Sequence, residues 1–252
     1  LVFDEYNIKY DKPEIEKDIS DLKKHLVDII TNNHPDSIKD IEDNEFSNST
    51  NFISFYEKIY TLNYDLLLYW SCQKLKDSTS QGKLKINDGF IGNDNEEHVH
   101  FSNEKHTDQT IFYLHGGLHI YDKKSEIIKV TYSRTGETLK NQTLENLKQN
   151  IYPVFISEGN SENKKAKIIH NAYLNHCYKS LANSGSKNSH LVIFGTHLKT
   201  HDDHIRDIIL KGKFENIYIG LSSVKQKSLF SNFENSGKKI FYYDYTTATV
   251  WR

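Results

Sequence analysis

Asn63 and Asp65, in the block Thr61-Leu62-Asn63-Tyr64-Asp65, place an amide and a carboxylate between a short apolar run and the helix-like stretch Leu66 to Trp70. In an open α/β sheet the carboxyl ends of the strands leave a crevice, and helix N-termini offer unpaired N–H groups to a ligand. The other reading of Asp65 is a helix cap. His115 ends a second apolar run and is followed by Gly116 and Gly117. Gly195, Thr196 and His197 end a third. A glycine after a buried strand lets backbone approach a phosphate or ribose closely, Asn can donate and accept, and His can move a proton near neutral pH. All three motifs could line one crevice.

The elements that must position them are legible as alternating patterns. Residues 12–34 carry apolar positions at helical spacing, with Pro13 suited to a first turn. Asn44 to Asn51 breaks the pattern, and a short helix from Phe52 leads into Ile59 and Tyr60. Strands are expected at Ile111–Leu114, Leu118–Tyr121, Glu126–Tyr132, Pro153–Ile156, Leu191–Phe194, Ile217–Ile219 and Ile240–Tyr245. Helices are expected over 143–150, 166–183, 201–210 and 223–235. Strands alternating with helices imply parallel pairing through right-handed crossovers. The expectation is one α/β domain over 1–252, Rossmann-like, with a mainly parallel central sheet, helices on both faces and a loop and hairpin insertion within 77–132.

Taken in order, the motifs resemble those of the sirtuin-like NAD-binding family: Thr61-Leu62-Asn63-Tyr64-Asp65, then Leu114-His115-Gly116, then Gly195-Thr196-His197-Leu198. Asp202-Asp203-His204-Ile205 and the strand Ile217 to Leu221 extend the likeness, which covers about 50–222. The block from Thr61 to Trp70 resembles that of an uncharacterised bacterial branch, a domain of unknown function. The resemblance implies NAD as substrate or ligand. Asn63 would contact the nicotinamide ribose or attacking water, Asp65 the nicotinamide carboxamide, and His115 would be the general base. Thr61 and Gly116 would line the cofactor site, and Gly195, Thr196 and His197 would contact the adenosine end. The family's glycine-rich phosphate loop is not found in this sequence: either it and its strand precede Leu1, or the chain does not grip the pyrophosphate as the family does. The expected activity is NAD hydrolysis at the nicotinamide–ribose bond, with a role in bacterial antiviral defence; the alternative is an NAD- or ADP-ribose-binding module without chemistry.

Composition narrows this further. Two cysteines cannot build a four-cysteine zinc module, so protein deacylation is demoted and no metal is expected. Cys72 and Cys177 read as small buried helix residues, although His170 and His176 near Cys177 also suggest a thiol nucleophile. His197, His201 and His204 beside Asp202 and Asp203, and the pair His98 and His100, are weaker metal candidates. A metal-dependent hydrolase on the His197 cluster is a third reading. With 32 basic and 34 acidic residues interspersed, no nucleic-acid footprint is present, and Lys164 to Lys167 reads as a solvated helix start. No apolar run suits a membrane helix and no signal peptide is visible, so a cytoplasmic protein is expected. The charged helix over 12–34 is a solvated face or a homo-oligomer contact.

Overall fold

Ile111, Phe112 and Tyr113 are each exposed by no more than 2%, as a short continuous apolar strand must be when both of its faces are covered. In the structure, a computed structural model that describes residues 12–77, 85–93, 96–102, 108–123, 126–156 and 159–251, the first half begins with α1 (Lys12–Asn33), α2 (Asp43–Ser54), β1 (Ile59–Thr61) and α3 (Leu67–Asp77). Next come β2 (Phe90–Ile91), β3 (His98–Phe101), β4 (Ile111–Tyr113), β5 (Gly116–Lys123), β6 (Glu126–Val130), α4 (Tyr132–Thr135), α5 (Leu139–Lys148) and β7 (Pro153–Phe155). The second half alternates α6 (Ser161–His170), α7 (Ala172–Asn183), β8 (His190–Ile193), α8 (Asp203–Lys211), β9 (Asn216–Leu221), α9 (Ser231–Glu234) and β10 (Lys239–Asp244).

The protein is mixed α/β, and its strands divide among three sheets. β1 pairs with β4 in parallel, and β8, β9 and β10 form a parallel sheet in the order β10-β9-β8. β2, β3, β6, β5 and β7 form an antiparallel sheet in that order. A single, mainly parallel central sheet is therefore not what is observed. β5 runs directly into β6 with no helix between them, and so short a connection permits only antiparallel pairing.

Three further expectations are corrected. The polar stretch at 44–51 lies inside α2, whose sparse apolar positions bury Phe46 and Ile53 while Ser49 hydrogen-bonds to Ser71 at 2.9 Å. The helix expected over 166–183 is two helices, because Asn171 turns out of helical geometry and its side chain accepts from the Leu174 N–H to start α7. The segment expected as a helix over 223–235 is mostly a 3₁₀ turn, Val224–Phe230, followed by α9.

A larger core joins both parallel sheets to α7, α8 and α9 through residues such as Phe112, Leu174, Ile217, Phe230 and Phe233. A smaller one packs Phe46, Trp70, Leu139 and Leu147 against Leu118, Tyr121 and Ile128 of the antiparallel sheet. Polar groups are buried beside that sheet. The Lys129 ammonium pairs with the Asp88 carboxylate and lies 5.5 Å and 5.3 Å from the ring centres of Tyr69 and Phe90, so its charge is met on several sides. Burial raises the Asp88 carboxyl, but Lys129 more than offsets this and leaves it below the ordinary carboxylate value. His119 sits 5.1 Å from Tyr69 and 4.9 Å from Tyr113, ring centre to ring centre. Neither of its ring nitrogens has a hydrogen-bond partner among the described residues.

Burial lowers the His119 imidazole from 6.5 to about 3, with the Lys129 ammonium adding to the effect. Between those values the unfolded chain holds a proton that the folded chain refuses. Stability is therefore full above about 6.5 and is lost as the pH falls toward about 3. Urea denaturation at about pH 7.5 and about pH 5 should show His119→Leu losing about 2 kcal/mol less stability over that step than the parent protein. An equal loss in both proteins would show that His119 does not carry this proton.

Candidate functional site

The strand-end motifs meet because β1 and β4 run parallel and in register, Thr61 opposite Tyr113. The Leu114 N–H donates to the Thr61 carbonyl at 2.9 Å, and the Leu118 N–H donates to the Tyr64 carbonyl at 2.9 Å. Tyr64 is the hinge between the two motifs. Its hydroxyl donates to the Ile156 carbonyl at 2.7 Å, its ring stacks over His115 with centres 6.5 Å apart, and the Ile156 N–H returns to the His115 carbonyl at 2.9 Å.

The third motif joins through the helix that follows it. His115 Nε2 lies 3.1 Å from His204 Nε2 at the start of α8. The Ser161 hydroxyl, in the first turn of α6, lies 3.1 Å from His204 Nδ1 and accepts from the His204 N–H at 2.7 Å. Lys164, one turn further along α6, donates to Asp202 Oδ1 at 3.0 Å. Lys164 is 7% exposed, which corrects its reading as part of a solvated helix start. Burial lowers His115 from 6.5 to about 3, opposed by Asp202 and reinforced by His204 and Lys164. Burial likewise lowers His204 to about 4. Both imidazoles are therefore neutral at neutral pH.

A cavity of about 620 Å³ opens beside this cluster. Gly195, Thr196 and His197 line one part of it, and Gly159, Lys164 and Asp202 another. Gly195 has φ +71°, and nothing lies within 4 Å of where its Cβ would project. Leu198 also has a positive φ, 44°, a strain of about 1–2 kcal/mol for a residue with a side chain. Its side chain is 3% exposed in the larger core, and that burial offsets the strain with about 2 kcal/mol. The loop after β8 is thus pinned with its backbone turned toward the cavity.

Of the eight residues singled out from the sequence, Gly195, Thr196 and His197 line the cavity; His115 does not, but it contacts His204 and clusters with the lining residue Asp202. Thr61, Asn63, Asp65 and Gly116 are not among its lining residues. Thr61 Oγ1 accepts from the Asn63 N–H at 3.0 Å, and the Asn63 side chain is exposed at the strand end. Asp65 Oδ1 accepts from the Leu67 N–H at 2.9 Å, so this carboxylate does serve as a cap for α3. His34 assists it, taking the Leu66 N–H on Nε2 at 2.9 Å. Gly116 has a packing reason to be glycine: a Cβ there would lie 1.9 Å from the Val154 carbonyl oxygen.

Sequence reasoning missed Ser161 and the burial of Lys164. Asn160 was a usable signal, since its side chain caps α6 and thereby fixes where Ser161 and Lys164 point. Cys72 and Cys177 are buried in α3 and α7, and burial pushes both thiols up to about 12. Neither is a nucleophile at neutral pH.

Residues 2–251 match a family profile described as Domain of unknown function (DUF4917). The chain belongs to the DUF4917 family. No curated protein matches it. Among the described residues of this DUF4917 chain, no helix is long and apolar enough to cross a membrane.

The two motif glycines should separate in mutagenesis. Gly116→Ala should cost about 3 kcal/mol or more in urea denaturation, because the clash is with backbone. Gly195→Ala should cost only about 1–2 kcal/mol, the penalty of its left-handed φ. Similar losses in the two variants would contradict this account of the loops.

Proposed function

We propose that the crevice at the carboxyl ends of β1, β4 and β8 binds NAD and that the protein hydrolyses the nicotinamide–ribose bond. The observation that carries this reading is convergence: three motifs far apart in sequence are linked through Tyr64, His115 and His204 beside one cavity. On this reading the two parallel sheets are halves of a Rossmann-like unit and the antiparallel sheet is its insertion. The adenosine end lies along Gly195, Thr196 and His197, where the bare Cα of Gly195 leaves room for it. The phosphates lie near Lys164 and the first turn of α6, whose N–H groups favour an anion. The volume suits a ligand of this class.

The nicotinamide end reaches Asn63, Asp65 and His115. The C–N bond breaks with its electron pair leaving on nicotinamide, which departs neutral. The carbonyl and carboxylate dipoles of Asn63 and Asp65 stabilise the positive ribose that remains. Water adds to that carbon and gives its proton to neutral His115, from which the contact with His204 offers a way out toward Ser161. Such an enzyme would consume the cytoplasmic NAD pool, a means of bacterial antiviral defence.

A second reading, binding of NAD or ADP-ribose without turnover, is favoured by the burial of His115. An imidazole lowered to about 3 is a weak proton acceptor. Chromatography of NAD incubated with the protein separates the two. Hydrolysis predicts free nicotinamide, with release falling about 100-fold or more in Asn63→Ala and in His115→Ala. Undiminished release in both variants would remove these residues from the reaction. Saturable calorimetric binding without nicotinamide establishes the second reading, and absence of both binding and release defeats each.

A further inference from the structure

His115, His204 and Asp202 come from three separate segments, yet their ligand atoms all lie within 4.8 Å of one another. We propose that these three side chains form a binding site for a divalent transition-metal ion of the zinc class, open on one side to the cavity. The site stands on this cluster alone and does not depend on a nucleotide occupying the crevice.

The spacing is that of a metal's ligands. Two nitrogens bound to a tetrahedral zinc at about 2.05 Å stand about 3.3 Å apart, and the two Nε2 atoms are 3.1 Å apart. The two Nε2 atoms face each other. Without a metal, one of them must carry the shared proton; with one, both lone pairs are used and that proton is released. Two imidazoles and a carboxylate suit zinc, cobalt or nickel rather than magnesium or calcium, which take oxygen ligands.

The surroundings are built to match. A metal-bound His204 carries its proton on Nδ1, and the Ser161 oxygen 3.1 Å away receives it. The Tyr178 hydroxyl donates to the His204 carbonyl at 3.2 Å, and the His204 N–H is held by Ser161, so both the ring and the backbone of this ligand are fixed. Lys164 donates to Oδ1 of Asp202, and a carboxylate keeps further lone pairs beyond that one bond. His115 and His204 are buried, whereas Asp202 lines the cavity. Two nitrogens and one oxygen would leave at least one coordination position of a tetrahedral ion for water.

A second group, His98, His100 and Glu126, also satisfies the distance condition among the described residues. It lies on the more exposed face of β3 and β6, and Glu126 is bonded to His100 Nδ1 at 2.8 Å. It serves here as the control. His98 and His100 are replaced together by Asn, leaving the buried cluster untouched.

The test is titration of untagged protein with cobalt(II), followed by its visible d–d absorption, with metal content measured after gel filtration. The expected result is a saturable band at one ion per chain that zinc abolishes. Asp202→Asn and His204→Ala should each weaken binding at least about tenfold, and Ser161→Ala about tenfold, while the His98/His100 variant binds as the parent does. If His204→Ala does not fold, as judged by circular dichroism, the nearly isosteric Asp202→Asn carries the test. No saturable band, or a band lost with His98 and His100 but retained in Asp202→Asn, overturns the site. None of these readings uses NAD, so this outcome and that of the hydrolysis assay fail or succeed separately.

Discussion

Two buried imidazoles facing each other across 3.1 Å hold the end of β4 against the start of α8. In a low-dielectric setting this contact works only while the pair remains neutral, since one ring must donate and the other accept. Much of the neighbouring architecture maintains that condition. Ser161 sits at His204 Nδ1, Tyr178 holds the His204 carbonyl, and the Ile156 N–H fixes the His115 carbonyl. The Lys164–Asp202 pair lies beside them with its charges matched. α6, α7, α8 and the edge of β7 thus converge on one polar point inside an otherwise apolar core.

His119 and His115 are four residues apart and both neutral, but they are neutral for different purposes. His119 lies among aromatic rings with neither nitrogen bonded among the described residues. Its lone pair reaches nothing that could use it, and its contribution is to fill space beside the Asp88–Lys129 pair. His115 presents its lone pair to another titratable group next to a cavity. Burial alone therefore does not tell the two histidines apart; what their ring nitrogens meet does.

The strands of the larger core were legible because Ile111-Phe112-Tyr113 and Ile217 to Ile219 are continuous apolar runs whose burial needs no partner to be named. α2 was hidden because its core-facing position 49 is a serine satisfied by Ser71, a contact that no periodicity reveals. Parallel pairing was inferred from alternation and held for β8, β9 and β10. β5 and β6, inside the stretch expected as a loop and hairpin insertion, pair antiparallel across a short connection. At the site, the strand-end residues were visible as types in order. Their connections were not: His115 meets His204 across 89 positions and Ser161 meets His204 across 43. Such contacts are products of packing, so sequence order could suggest a crevice but not which atoms face each other in it.

The distribution of charge around the cavity limits what it can hold. Lys164 and the first turn of α6 favour anionic oxygens, whereas Asp202 and whichever imidazole accepts in the His115–His204 contact offer negative charge and a lone pair. A ligand of a single sign satisfies one of these regions and is repelled by the other. The two proposals place different cationic centres at this end: a pyridinium that becomes an oxocarbenium ion in one, a metal ion carrying water in the other. The two cationic species make different demands on His115. A developing ribose cation leaves its lone pair free for a proton, while a metal consumes it. On the two proposals His115 therefore cannot be proton acceptor and ligand in the same molecule, so a metal bound there would exclude the proton transfer proposed for it.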